Sequence, residues 1–186
     1  LNESLSVSGK KSINLPLGEV KISRKVKSLD IIIRTCSSVN MLTQSKKRIF
    51  EQDKIEYTLR SLNSILRSIN YAKEYHSKIN IKIIVVDHNS SSENLEKIKN
   101  LLKSSVSQFQ LLKLDISEFE NKIKKINEKN EKTIPNQISN MSNIYKSLIL
   151  SKTSEDLIYF VEDDYIHEID SFTEMLFTYE RVASMT

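Results

Sequence analysis

The chain of 186 residues is poor in the residues that cross-link, punctuate or anchor a polypeptide. Its one cysteine, Cys36, allows neither an internal disulfide nor a cysteine-based zinc site, and a reducing compartment is the simpler expectation. Two glycines and two prolines are few for this length. No G-x-G-x-x-G, Walker lysine loop, G-x-S-x-G or H-E-x-x-H occurs, which argues against dinucleotide oxidoreductases, P-loop NTPases, common serine hydrolases and zinc proteases. No apolar run approaches the roughly 18 residues that a membrane-spanning helix needs. The first residues also lack a hydrophobic signal core. Net charge is +4, but acids and bases are interspersed and no basic face is interleaved with aromatics. No nucleic-acid partner is expected.

What is present is ordinary globular composition, 39% hydrophobic and 28% charged, enough for one domain with a sizeable core. Residues 1–28 are polar and basic with scattered apolar positions (Ile13, Leu15, Leu17, Val20, Ile22), and read as a tail or peripheral hairpin. The domain proper is expected over 29–186. Leu29 to Thr35 reads as a buried strand that runs into the polar loop Cys36-Ser37-Ser38. Ile55, Leu59, Leu62, Leu66 and Ile69 form one apolar stripe on a helix from about Ile49 to Tyr75. A second strand, Ile79 to Val86, ends at Asp87-His88-Asn89. Ser90 and Glu93 then fit a capping box that opens a helix to about Ser104.

Phe109 to Leu114 reads as a third strand. The Lys/Glu/Asn-rich stretch from Asp115 to Lys132 reads as a solvated helix or a mobile insertion. Gln137 to Lys152 carries Ile138, Met141, Ile144, Tyr145, Leu148 and Ile149 at helical spacing. It leads into Leu157-Ile158-Tyr159-Phe160-Val161, an apolar run expected to be a central strand buried on both faces. Asp170 or Ser171 then caps a last helix bearing Phe172, Met175, Leu176, Tyr179 and Val182. Strand and helix alternate. The expected fold is therefore a three-layer α/β/α sandwich around a mainly parallel sheet, with the polar strand ends gathered along one edge.

Three clusters sit at those strand ends: Arg34-Thr35, Asp87-His88 and Glu162-Asp163-Asp164. Three adjacent carboxylates repel one another unless a cation offsets them, so the last cluster either faces water or holds a metal. Glu162 and Asp164, two residues apart, project to one side of an extended chain and suit one hard divalent cation, Mn²⁺ or Mg²⁺. The bland alternative is a solvated acidic turn. A carboxylate at Asp87 can accept from a nucleobase imide or a ribose hydroxyl, or can simply shape a turn with Asn89 and the serines. His76 reads as a surface residue. So does His167, although it lies near enough to the acids to touch a phosphate. Cys36 has no base near it in sequence and reads as a small buried residue.

In order and spacing, Asp30-Ile31-Ile32-Ile33-Arg34-Thr35, Ile83 to Ser90 and Leu157 to Asp164 together resemble the GT-A glycosyltransferases, especially the family 2-like group. The resemblance runs from about Leu29 to Thr186. It implies a Rossmann-like nucleotide-diphospho-sugar transferase fold with a donor-binding site at Arg34, Thr35, Asp87, His88 and Asp163. The D-x-D-type metal ligands of the family fall on Glu162 and Asp164. His88 stands where the family's Asp-Asp pair has its second acid, Glu162 replaces an aspartate, and the Arg-Asn-x-Gly pattern is missing, with Asn140, Asn143 and Lys146 only loose substitutes. The implied reaction is metal-assisted transfer of a sugar, with inversion, from a nucleotide-sugar such as a UDP-linked one. A carbohydrate, lipid or protein hydroxyl would accept it, in the cytoplasm or at the cytoplasmic face of a membrane. The family's general base lies further along than this chain, so it is expected beyond Thr186 and the chain is expected to be a fragment that binds donor without transferring sugar. Two other readings are a nucleotidyltransferase of sugar phosphates, for which the loop Cys36-Ser37-Ser38 lacks glycine and basic residues, and a non-catalytic nucleotide-binding or interaction module.

Overall fold

The computed structural model describes residues 20–38, 52–104, 108–119, 121–123 and 135–185. Element order is β1 (Ser28–Thr35), α1 (Lys54–Tyr75), β2 (Asn80–Asp87), α2 (Ser92–Lys103), β3 (Gln108–Lys113), a 3₁₀ turn (Ile116–Phe119), α3 (Pro135–Ser151), β4 (Leu157–Glu162) and α4 (Ser171–Ala183). The four strands form one sheet in the order β3-β2-β1-β4, and every pairing is parallel. This is the α/β architecture expected from the alternation of strand and helix patterns.

Isoleucine-rich β1 and β2 hold the centre because both faces of each are covered. Ile31 and Ile33 point into a core shared with Ile55, Leu62, Ile65, Leu66 and Ile69 of α1, with Ile98 and Leu102 of α2, and with Phe172 and Leu176 of α4. Ile32, Ile84 and Val86 point the other way, onto Leu114, Phe119 and Ile123, with Ile138 and Leu150 of α3 packed alongside. The period-2 alternation of a strand therefore feeds two cores, one on each face of the sheet.

Several expectations change. Residues 49–51 of the expected long helix lie outside the described residues, and Gln52 and Asp53 precede the helix rather than belonging to it. The cap of α2 is Ser91, whose Oγ accepts from the amide of Asn94. Ser90 instead turns its hydroxyl to the loops, donating to Asp87 Oδ1 and accepting from the Ser37 amide. In the 115–132 stretch, a 3₁₀ turn and the residues after it bury Phe119 and Ile123 against the sheet, while Asp115, Ser117, Glu118, Asn121 and Lys122 are exposed. Residues 120 and 124–132 lie outside the described set. Ser23 to Lys27 are tied down as well: the Ser23 and Arg24 amides donate to Ser184 Oγ, the Val26 amide to Glu180 of α4 and the Lys27 amide to Asp156. Residues 1–19 lie outside the described set.

The largest correction concerns β4, which among the described residues is an edge strand and not a central one. Val161 packs into the core, with Leu157 and Tyr159 partly buried against it. Ile158 and Phe160 are half-exposed, Phe160 at 45%. The reason is the seat of α3, which lies over β1 and β2 and so leaves that face of β4 open. α3 also turns its small polar side inward: Ser142, Asn143 and Ser147 are buried, while Met141, Ile144, Tyr145, Leu148 and Ile149 are exposed. Asn143 makes this work by donating from Nδ2 to the Val86 carbonyl at 3.0 Å, an anchor that an apolar side chain could not supply.

Two truncations separate the buried helix stripe from the open one. Ile65→Ala, at a fully buried position of α1, is expected to lower unfolding free energy by about 2–5 kcal/mol. Leu148→Ala, at a half-exposed position of α3, is expected to change it by no more than about 0.5 kcal/mol. Urea denaturation of both variants checks the pair.

Candidate functional site

Parallel pairing carries the carboxyl ends of the strands to one edge, and register decides which of their residues meet. Arg34 of β1 stands opposite Glu162 of β4, and Thr35 stands opposite Asp87 of β2. Both cross-strand pairs are bonded. The Arg34 guanidinium contacts the Glu162 carboxylate through Nη2 and donates from Nη1 to Asn140 Oδ1 of α3 at 2.9 Å. Thr35 Oγ1 donates to Asp87 Oδ1 at 2.7 Å.

Asp87 is 2% exposed, and its carboxylate organises the loop after β2. Oδ1 also accepts from Ser90 Oγ, and Oδ2 from the Ser90 amide at 3.1 Å. Ser90 Oγ in turn accepts from the Ser37 amide at 2.9 Å, and Ser37 Oγ accepts from Asn94 Nδ2. One buried acid thus pins the loops that follow β1 and β2 to each other. Asn89, at the tip between them, has φ 62°, a left-handed conformation that Asn tolerates better than most side chains.

The neighbouring His88 is only partly buried. Its Nδ1 lies 2.6 Å from Ser139 Oγ of α3, so the helix reaches the crevice at Ser139 and Asn140. Burial lowers the His88 pKa below the usual 6.5 and outweighs the opposing pull of Asp87. The imidazole is neutral near pH 7.

The acidic turn after β4 is neither simply solvated nor vacant. Exposure alternates along it: Glu162 and Asp164 are exposed and Asp163 is buried. Asp163 Oδ1 is 2.6 Å from the Lys54 ammonium, and Oδ2 accepts from Thr58 Oγ1 at 2.7 Å. Lys54 and Thr58 are one helical turn apart on α1, so a single face of that helix clamps the acid. Asp164 Oδ2 lies 4.0 Å from the same ammonium. Each of the three carboxylates therefore has a side-chain cation within 4.0 Å. Among the described residues no group of three acidic, histidine or cysteine side chains is arranged to hold a metal ion. A divalent ion would have to rely on Asp164, with Glu162 drawn away from Arg34, and take its other ligands from water or phosphate.

Cys36 lies where these elements meet. Burial raises its thiol pKa first, and the nearby Asp87 and Asp163 carboxylates push it further in the same direction, against a weaker opposing pull from Lys54. It is a half-buried thiol in negative surroundings, the wrong setting for a nucleophile. Beside Arg34 and Glu162 a cavity of about 540 Å³ opens along β4, lined further by Ile144, Leu148, Phe160 and Tyr165. It is polar at the Arg34 end and apolar along the strand.

The sequence-predicted residues Arg34, Thr35, Asp87, His88, Glu162, Asp163 and Asp164 thus converge on one edge. Lys54, Thr58 and Ser139 join them without having been anticipated, since nothing in a helix pattern marks which polar residue faces a crevice. His167 is elsewhere engaged: its Nε2 is 3.0 Å from the Tyr159 hydroxyl and its ring stacks on Phe172. His76 sits 4.0 Å from Glu180 at the far end of α1. No described helix is long and apolar enough to cross a membrane.

No protein-family model and no curated protein matches the chain. Two solved structures of the galactosyltransferase LgtC are similar to it. One, in complex with donor and acceptor sugar analogs, superposes with a TM-score of 0.39 at 14% identity. The other, an active-site mutant, gives 0.38 at the same identity. Each alignment covers 78% of this chain and 41% of the LgtC chain, so the chain spans less than half of the proteins it matches. At TM-scores below 0.5 neither likeness bears on function, and the architecture rests on strand order, register and burial.

Removing the Asp163 carboxylate leaves Lys54 and Thr58 without their acceptor. Asp163→Ala is expected to cost about 1–3 kcal/mol of stability and Asp164→Ala much less, measured by urea unfolding. The histidines set a pH effect. His88 and His167 both have pKa values lowered by burial, so the unfolded chain binds their protons more tightly. Their contribution to stability is complete above the ordinary 6.5 and is lost as pH falls through the depressed folded values. Thermal melts from pH 7.5 to 5.5 are expected to show falling stability, and His88→Gln with His167→Gln to flatten that slope.

Proposed function

We propose that this chain forms the nucleotide-sugar-binding part of a glycosyltransferase of the GT-A type. The observation that carries the reading is the switch in strand order. After β1 the chain moves to β2 and β3 on one side, then returns to place β4 on the other side of β1. Open parallel sheets bind ligands outside the carboxyl ends of their strands, at the point where the order reverses. Here that point lies between β1 and β4, and Arg34 and Glu162 occupy it. The match of Arg34-Thr35, Asp87-His88 and Glu162-Asp163-Asp164 to the family's motif order supports the same reading.

In this reading the donor is a nucleotide-sugar, with a uridine diphosphate link the first to test, and the acceptor is a hydroxyl of a carbohydrate, lipid or protein. Arg34 and His88 are the partly exposed groups that meet the donor. Arg34 supplies a fixed cation for diphosphate, and the neutral His88 imidazole can hydrogen-bond to base or ribose. Thr35, Asp87 and Asp163 act from beneath by fixing the loops that carry them. Glu162 and Asp164 face the crevice, and a divalent cation, Mn²⁺ or Mg²⁺, would add electrostatic stabilisation of the leaving diphosphate when bound there. Transfer with inversion of a hexosyl group belongs to this reading, and the anomeric proton coupling of a product would report it.

Thermal-shift titration of the chain with nucleoside diphosphates and UDP-hexoses tests the core of the proposal. At about 100 times its dissociation constant a ligand of the folded state stabilises it by about 2.7 kcal/mol, a shift that is easily resolved. Arg34→Ala is expected to weaken the ligand by about tenfold or more, as loss of a charge-assisted contact does. If no nucleotide or nucleotide-sugar raises the melting temperature, with or without Mn²⁺, the reading is wrong.

A further inference from the structure

The residue that most alters the chemistry of the crevice is Lys54. It is the first residue of α1, far in sequence from the acids it meets. Its ammonium lies between two of them, 2.6 Å from Asp163 Oδ1 and 4.0 Å from Asp164 Oδ2. The inner contact is directional, because Thr58 occupies the other oxygen of Asp163 and fixes how that carboxylate is turned. The outer one is long. An ammonium has three N–H donors, and among the described residues only the contact to Asp163 uses one at hydrogen-bonding distance. Its side chain is 14% exposed and so is not sealed in the core.

Formal charge points the same way. Three carboxylates faced by Arg34 and Lys54 leave a single net negative charge, where the bare acidic turn would carry three. A site of that kind draws a divalent cation far less than three free acids do. The two side-chain cations also come from different elements, β1 and α1, and flank the switch point between β1 and β4. Lysine meets phosphate as a point charge, as a metal ion does, and needs no planar partner.

We propose that Lys54 is the resident cation of this site. Its ammonium, steered by Asp163 and Thr58, contacts the diphosphate of the bound nucleotide in the place where a divalent ion was expected, so nucleotide binding does not require Mn²⁺ or Mg²⁺. The inference rests on the nucleotide-sugar reading above and specifies how that site handles charge. Lys54 touches the ligand itself, whereas Asp163 and Thr58 act through it as positioning residues.

Calorimetric titration of the chain with uridine diphosphate, in EDTA and again in Mn²⁺, tests this. Because Lys54→Met alone strands a buried carboxylate, the informative variant is Lys54→Met combined with Asp163→Ser, its fold checked by circular dichroism. Lys54→Arg serves as the conservative control. Wild type is expected to bind in EDTA within about threefold of its affinity in Mn²⁺, and the double variant to lose about tenfold in EDTA, the size of one charge-assisted contact. Lys54→Arg should retain most of the affinity. Wild-type binding that appears only with Mn²⁺, or a double variant that binds in EDTA as tightly as wild type, overturns the role of Lys54 and leaves the nucleotide site standing. Absence of binding in both buffers overturns both.

Discussion

Parallel pairing of β1 with β2 on one side and β4 on the other is the constraint on which everything else depends. The ladder runs from Ser28 to Thr35 against β2 and from Leu29 to Arg34 against β4. It buries Ile31, Ile32 and Ile33 almost completely, with neighbouring side chains sent to opposite faces. A slip of one residue would send each of them to the wrong core, so burial holds the register firmly. The same register sets Arg34 against Glu162 and Thr35 against Asp87. The chemistry of the crevice is thus fixed by packing deep in the sheet.

Charge within the crevice is balanced locally. Asp87 is buried and bonded to a threonine, a serine hydroxyl and a backbone amide, so it shapes loops. Asp163 is buried and bonded to a lysine and a threonine, so it ties the acidic turn to α1. Burying a carboxylate is costly unless its lone pairs are met, and both acids meet that condition with partners from distant parts of the chain. The exposed acids, Glu162 and Asp164, are left to face whatever enters. This division between acids that hold the frame and acids that face the crevice follows the alternation of exposure along the turn.

Much of the frame was legible beforehand because it depends on local pattern. The isoleucine runs of β1 and β2 announce themselves as continuous apolar segments, and the stripe Ile55, Leu62, Leu66, Ile69 through the period of 3.6 that helix geometry enforces wherever the segment ends up. Element order followed, and so did the gathering of Arg34, Asp87 and Glu162 at one edge. Position within the sheet did not follow. β4 has an apolar run as continuous as that of β2 yet lies at the edge, since an apolar run records attraction to a core without saying how many neighbours the strand acquires. Facing in α3 was not legible either: Met141, Ile144, Tyr145, Leu148 and Ile149 are exposed, while Ser142, Asn143 and Ser147 turn to the sheet alongside Ile138 and Leu150, the asparagine through its bond to the Val86 carbonyl.

The amino-acid sequence by itself determined the alternation of strands and helices, the two-faced core, and the set of polar residues that leave the strands at one edge. Each of these depends on interactions within a few residues or on the average burial of a segment. Tertiary structure alone decided the partners. Lys54 and Asp163 are separated by more than a hundred positions, as are Arg34 and Glu162, and only the strand order β3-β2-β1-β4 brings them within bonding distance. An acidic triplet that reads in one dimension as either a solvated turn or a metal site has, in three, a side-chain cation within 4.0 Å of each carboxylate, because electrostatic partners are chosen by distance through space and not along the chain.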